Sequence, residues 1–187
     1  MRDISLHILD LIENSLRAGA TIVSVNIARD SQKGTLDVSV EDNGSGFSVS
    51  PDEAVDPFYT TKSGKRTGLG LSLFAAAAER AAGKLEITRS RLGGACVAAT
   101  MALSHVDRSP MGDLASTLSS VVCTNPQLDL RFKFSAGDRE FALRVVEVVK
   151  EVPESENCGL TAARKVLDRI RSGLAQLESR GITLESI

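Results

Sequence analysis

Residues 4 to 17 constrain the fold more than any other stretch. Turned at about 100° per residue, this segment divides into two faces. Ile4, Ile8, Leu9, Leu11, Ile12 and Leu16 form a broad apolar side that needs something to pack against. His7, Asp10, Asn14 and Arg17 form the other side, at spacings of three, four and three. A solvated helix face usually mixes Lys and Glu in i, i+4 pairs. This one sets a carboxylate, a carboxamide and a guanidinium in a row, with an imidazole one turn away. Asp10 and Asn14 offer hard oxygen ligands, and Arg17 can neutralise a phosphate. On this helix alone, a merely solvated polar face explains the row equally well. Asp3 or Ser5 can cap its start and Gly19 can end it.

The segments that follow supply the packing partner. Thr21 to Arg29 alternates after Val23, with Val25 and Ile27 on one face, and Thr35 to Glu41 alternates with Leu36, Val38 and Val40 together. The turn-forming run Asp30-Ser31-Gln32-Lys33-Gly34 between them predicts a β-hairpin. An Ala-rich helix is expected over Leu71 to Ala82, ended by Gly83, its alanines allowing close approach to a sheet. Lys84 to Arg89 and Ala95 to Leu103 read as another strand pair. The first half is therefore an α/β two-layer sandwich, a mixed sheet with helices on one face. The character shifts at Ser104, which divides the chain into residues 1–104 and a small α+β appendix, 105–187. There a helix is expected over Gly112 to Val122, a strand over Leu128 to Phe134 and its partner over Arg139 to Val146. Val145 to Val149 suits a helix equally well. A last helix spans Thr161 to Ser179, with Thr161 as its N-cap.

Composition narrows the function classes. The chain has 187 residues, 4% aromatic residues and no Trp, so its core must be built from Leu, Ile, Val and Ala. A net charge of −2 gives no electrostatic case for nucleic acid. No stretch is long and apolar enough to span a bilayer. Arg2 and Asp3 lead straight into the amphipathic helix, which is not a signal-peptide pattern, so a cytoplasmic location is expected. Cys96, Cys123 and Cys158 lack CxxC spacing, and neither His7 nor His105 lies near a Cys in sequence. Reduced thiols are expected, not a zinc site.

Two loops add to the row on the first helix. Glu41-Asp42-Asn43-Gly44-Ser45-Gly46-Phe47 places a carboxylate before two glycines, a sharp bend that lets a ligand approach the backbone. An ordinary Asx turn would look the same. Asp56-Pro57-Phe58-Tyr59-Thr60-Thr61-Lys62 continues through Ser63-Gly64-Lys65-Arg66-Thr67 into Gly68-Leu69-Gly70-Leu71-Ser72. This basic, hydroxylated stretch is expected to be mobile, and it ends on a glycine-led helix start whose free N–H groups suit an anion.

Taken together, the three signals resemble the GHKL superfamily, the ATP-binding fold of histidine kinases, type II topoisomerases, heat-shock chaperones and mismatch-repair ATPases. The resemblance covers about residues 4 to 103. The Asp10 to Leu16 segment with Ala18-Gly19-Ala20-Thr21 is closest to the mismatch-repair form. Asp56 to Lys62 and Gly68 to Ser72 look more like nitrogen-regulation sensor kinases. The resemblance implies that Asn14 holds Mg²⁺ and that Asp10 occupies the catalytic position, where hydrolysing members usually carry Glu. It further implies that Arg17 contacts phosphate, that Asp42 accepts from the adenine amino group, and that Gly44 and Gly46 let the backbone lie against the base. Gly68, Leu69, Gly70, Leu71 and Ser72 would cradle the phosphates, with Lys62 reaching in from the lid and Lys65 or Arg66 as a further candidate.

The sequence departs from the superfamily pattern in three places. No helical segment with a phosphoacceptor His precedes the domain, so a stand-alone form is expected. The late Gly-x-Gly-Thr element is reduced to Gly93-Gly94-Ala95-Cys96, without its hydroxyl. Residues 105–187 match no usual appended domain. His7 suits a structural or hydrogen-bonding role beside the site better than a phosphoacceptor role, because it would lie beside its own nucleotide and not in line with the γ-phosphate. These readings imply an Mg-ATP-binding signalling protein, a kinase-like module that transfers phosphate to a separate, unidentified protein. An ATP-gated switch with slow hydrolysis, reading out through a homodimer or the C-terminal segment, and a non-catalytic nucleotide-binding scaffold are the alternatives.

Overall fold

The computed structural model describes residues 3–46, 69–153 and 159–179. The elements there are α1 (Ile4–Arg17), β1 (Ile22–Asp30), β2 (Thr35–Asp42), α2 (Leu69–Arg80), β3 (Lys84–Arg89) and β4 (Ala95–Ala102). They continue with α3 (Leu114–Thr124), β5 (Asp129–Ala136), β6 (Arg139–Arg144), α4 (Val145–Lys150) and α5 (Gly159–Glu178).

Local chemistry sets the ends of α1. The Asp3 carboxylate accepts from the Leu6 N–H at 3.0 Å and from the Ser5 hydroxyl at 2.7 Å, so Asp3 is the cap. At the other end Gly19 takes a left-handed φ of +77°, and its N–H donates to the Leu16 carbonyl. The chain can then reverse into β1.

The strands form one six-stranded sheet in the order β3-β4-β2-β1-β5-β6. Every pairing is antiparallel except β1 with β5, which run parallel from Ile22 opposite Asp129 to Arg29 opposite Ala136. The sheet is therefore mixed, and the segment after residue 104 extends it by two strands. Side chains alternate across the pleat. Val23, Val25 and Ile27 share a buried face with Val40, Val38 and Leu36, with Val97, Ala99 and Met101, and with Leu130, Phe132 and Phe134. All the described helices contribute to the core on that face, including Ile4, Ile8 and Ile12 of α1, Phe74 of α2, Leu118 of α3 and Ile170 of α5. The opposite face carries Ser24, Asn26, Ser39, Ala98, Thr100 and Lys133, which are half-buried or more open.

The C-terminal segment also grips the start of α1. The Ile4 and Ser5 N–H groups donate to the carbonyls of Pro110 and Met111, each at 2.9 Å. These bonds satisfy donors that a helix start would otherwise leave open. The α5 helix lies over α3 and β6, where Gly173 leaves room for the Phe141 ring.

Several boundaries differ from the sequence reading. The last helix begins at Gly159, so Thr161 lies inside it and is not the cap. The Ala-rich helix starts at Leu69, two residues early. Val145–Lys150 is helical, ending the strand at Arg144. Among the described residues no helix is long and apolar enough to cross a membrane.

Candidate functional site

The α1 helix is the wall that unites the three sequence signals. Its outward row meets the start of α2 at Asp10. A Cβ placed on Gly70 would lie 3.3 Å from Asp10 Cβ and 3.4 Å from its Oδ2. The absence of a side chain at position 70 thus sets the carboxylate of α1 against the first turn of α2. The first N–H groups of a helix have no acceptor within the helix and can meet an anion. Leu71 is buried and Ser72 half-buried. One turn below, the His7 ring stacks on Phe74, with centroids 4.8 Å apart and planes 17° apart. Both side chains are inside, His7 at 3% exposure and Phe74 at 0%. Sequence periodicity put His7 on the polar row; the tilt of α2 across α1 covers it, and the imidazole works as packing between the two helices.

At the other end of α1 lies Asp42. It is 5% exposed, and a buried carboxylate is tolerable only with several donors. Its Oδ1 accepts from the Gly44 N–H at 2.9 Å and the Ala95 N–H at 3.1 Å, and its Oδ2 accepts from the Ser15 hydroxyl at 2.7 Å. The loop after Asp42 is stitched to α1 and to the start of β1. The Ser45 N–H donates to the Ala18 carbonyl at 3.0 Å. The Asn43 Oδ1 accepts from the Thr21 and Ile22 N–H groups at 2.9 and 2.8 Å. Gly46 takes a φ of +73°, a conformation that favours glycine.

Gly94 completes this corner. Its N–H donates to the Asp42 carbonyl at 3.0 Å, and an added Cβ would fall 2.8 Å from that oxygen and 2.6 Å from the Gly44 nitrogen. The reduced Gly93-Gly94-Ala95-Cys96 element therefore keeps a role. Its backbone, which needs no hydroxyl, orients the Asp42 carboxylate. Sequence reasoning missed this, and it missed Ser15. A serine on the apolar side of α1, one turn past Leu11, was the available signal.

Between the two ends sits Asn14. Its Oδ1 accepts from Arg17 Nη2 at 2.6 Å, while Arg17 Nε donates to the Glu13 carbonyl at 3.0 Å. The structure thus brings Asp10, Asn14, Arg17, Asp42, Gly44, Gly46, Gly70, Leu71 and Ser72 onto two helices and one loop, with α1 in contact with α2 on one side and with the loop on the other. Leu69 opens α2. Lys62 and Gly68, with the expected lid and its Lys65 and Arg66, lie outside the described residues. On the open face beside the Asp42 corner, burial pushes the Cys96 thiol up; a Thr88 hydrogen bond opposes this, and the nearby Glu41 and Asp42 carboxylates add to it. It is a free thiol.

Among the described residues no group of three or more His, Cys, Asp or Glu side chains could hold a metal by itself. A cation at Asn14 must then take most of its ligands from water and phosphate. That is the habit of Mg²⁺, which keeps several waters and binds through one or two protein oxygens, so the residues fit it.

Residues 2–105 match the family described as histidine kinase-, DNA gyrase B- and HSP90-like ATPase. No curated protein matches the chain. Among solved structures, the chain is similar to the ATP-binding domain of PrrB from Mycobacterium tuberculosis. That match has 26% identity over 52% of this chain and 64% of that one, with a TM-score of 0.42. The N-terminal domain of a DNA repair protein matches at 11% identity, over 89% of this chain and 57% of that one, with a TM-score of 0.48. The Aquifex aeolicus MutL ATPase domain complexed with ADP matches at 14% identity, over 90% of this chain and 70% of that one, with a TM-score of 0.43. The chain spans less than two thirds of the first two of these.

Proposed function

This chain belongs to the histidine kinase-, DNA gyrase B- and HSP90-like ATPases, and from that membership we propose that it is an Mg-ATP-binding signalling module that passes the γ-phosphate to a separate protein. Binding of ATP follows from the family. The transfer rests on one observation, the setting of Asp10 against Gly70 at the start of α2. In this reading the first turn of α2 receives the phosphates, and Asp10 is the carboxylate nearest to them. Asp is one methylene shorter than the Glu that hydrolysing members usually carry. Its reach toward an attacking water is correspondingly poorer, whereas a nucleophile presented by another protein can come to it. Asp10 would then orient that nucleophile or take its proton as the bond to ADP breaks.

The remaining roles are those that the family resemblance implies. Asp42 would accept a hydrogen bond from the adenine amino group, with Gly44 and Gly46 leaving the backbone open to the base. Asn14 would hold Mg²⁺, which when bound would offset the charge of the phosphates. Arg17, Lys62 and the N–H groups from Gly68 to Ser72 would contact the phosphates. Incubation with radiolabelled ATP and candidate partners tests the reading. Label is expected on a partner protein, and label released only as free phosphate would refute the transfer.

The docking of α1 on the C-terminal segment favours a second reading. Through Pro110 and Met111, and a Thr117 to Ser5 hydroxyl contact of 3.3 Å, α1 is tied to α3. A nucleotide that shifts α1 against α2 would then be felt by residues 105–179, giving an ATP-gated switch. Light scattering and limited proteolysis with and without ATP test this; a nucleotide-independent size and cleavage pattern would refute it. Failure to bind Mg-ATP at millimolar concentration would leave only a non-catalytic scaffold.

A further inference from the structure

Arg17 lies across the oxygen that the site needs. Its Nη2 donates to Asn14 Oδ1 at 2.6 Å, and its Nε donates to the Glu13 carbonyl at 3.0 Å. The guanidinium is therefore anchored at two points along its own helix. It also stands in the last turn of α1, where the helix dipole favours a positive charge. A divalent cation approaching Oδ1 meets this positive charge at the only side-chain oxygen that Asn14 offers.

A phosphate reverses the balance. The guanidinium fork binds phosphate through paired, charge-assisted hydrogen bonds, which are stronger than one bond to a neutral amide. Turning from Asn14 to a phosphate needs only side-chain rotation, and the two exposed hydrogen bonds that Arg17 gives up are replaced by bonds to phosphate or water. We infer that Arg17 gates metal loading: it holds Asn14 Oδ1 in the nucleotide-free chain and releases it when phosphates arrive. Nucleotide and cation then load in order. Free divalent ions in the cell do not occupy the site, and the cation is admitted with the nucleotide that needs it. This inference rests on the reading of Asn14 as the metal-facing residue.

The test uses Mn²⁺ as a paramagnetic probe and the NMR signals of the Asn14 side-chain amide in the full chain. In the nucleotide-free state, Arg17→Ala should show Mn²⁺ broadening of that amide at about ten-fold lower Mn²⁺ than wild type. With saturating ADP the two should broaden at the same Mn²⁺ concentration. Arg17→Gln, which keeps the length and removes the charge, should behave as Arg17→Ala and serves if that variant fails to fold. Equal Mn²⁺ sensitivity of wild type and both variants without nucleotide would overturn the gate. The Asn14→Ala variant, followed through its residue 13–15 backbone signals, separates the two layers. If ADP-dependent broadening there sets in at the wild-type Mn²⁺ concentration, Asn14 adds nothing to metal binding, and both the assignment and the gate fall. If it needs more Mn²⁺ while the Arg17 variants match wild type, the assignment stands and the gate alone fails.

Discussion

Replacing Asp42 by Asn separates its two duties, holding a corner of the fold and reading a base. In the structure Oδ1 accepts from two backbone N–H groups, of Gly44 and Ala95, and Oδ2 accepts from the Ser15 hydroxyl. An asparagine can keep its oxygen toward the two N–H groups and turn its NH₂ toward Ser15. The serine hydroxyl can rotate to accept, so all three contacts survive. What is lost is the charge, which strengthens each bond. Stability should therefore fall by only about 1–2 kcal/mol, visible as a shift in urea midpoint without a change in slope. The nucleotide sees a different change. The adenine amino group, a donor, now meets an NH₂, another donor. Loss of one charged hydrogen bond is worth about 1.5–3 kcal/mol, or about 10- to 150-fold in ATP affinity. Guanine presents a carbonyl where adenine presents its amine, so GTP should lose much less, and the preference for ATP should shrink or reverse. Isothermal titration with ATP and GTP against wild type and Asp42→Asn reads this. Unchanged ATP affinity in the variant, or equal affinity of the wild type for both nucleotides, would refute the reasoning.

Further expectations rest on other parts of the molecule. Gly94→Ala drives a Cβ into the backbone around Asp42 and should destabilise the chain by about 1–3 kcal/mol or more; a melting temperature equal to wild type would show that this corner yields. Phe74→Ala removes a fully buried ring that stacks on His7 and should cost about 3–5 kcal/mol, measured by chemical denaturation. Burial pushes the Asp129 carboxyl up, but hydrogen bonds from Arg131 and Arg144 outweigh it and hold its pKa below the usual value. A depressed folded-state pKa contributes stability above the unfolded value of about 3.9, and that stability is lost as pH falls through the folded value. The stability gap between wild type and Asp129→Asn should therefore close on acidification below about pH 4, and a gap that persists in acid would refute the pairing. Lys62→Ala should weaken ATP more than ADP if the lysine meets the γ-phosphate; parallel losses in a binding titration would exclude that role.

Much of this protein was legible in its sequence because local chemistry governs it. The two faces of α1, a cap at Asp3 or Ser5 (the structure selects Asp3), the Gly19 stop and the alternating strands each arise from residues a few positions apart. Short-range periodicity encodes such features directly. The family was legible for a related reason: its motif residues recur in order on a helix, a strand end and a helix start. Tertiary structure decided the rest, because it depends on which surfaces meet. Only the crossing of α1 and α2 buries His7 against Phe74 and sets Asp10 beside Gly70. Only the return of the chain after β3 brings the Ala95 N–H to Asp42, a contact across 53 residues. The parallel pairing of β5 with β1 joins the C-terminal segment to the sheet. A strand's alternation shows which of its faces is buried, and says nothing of which neighbour it will find.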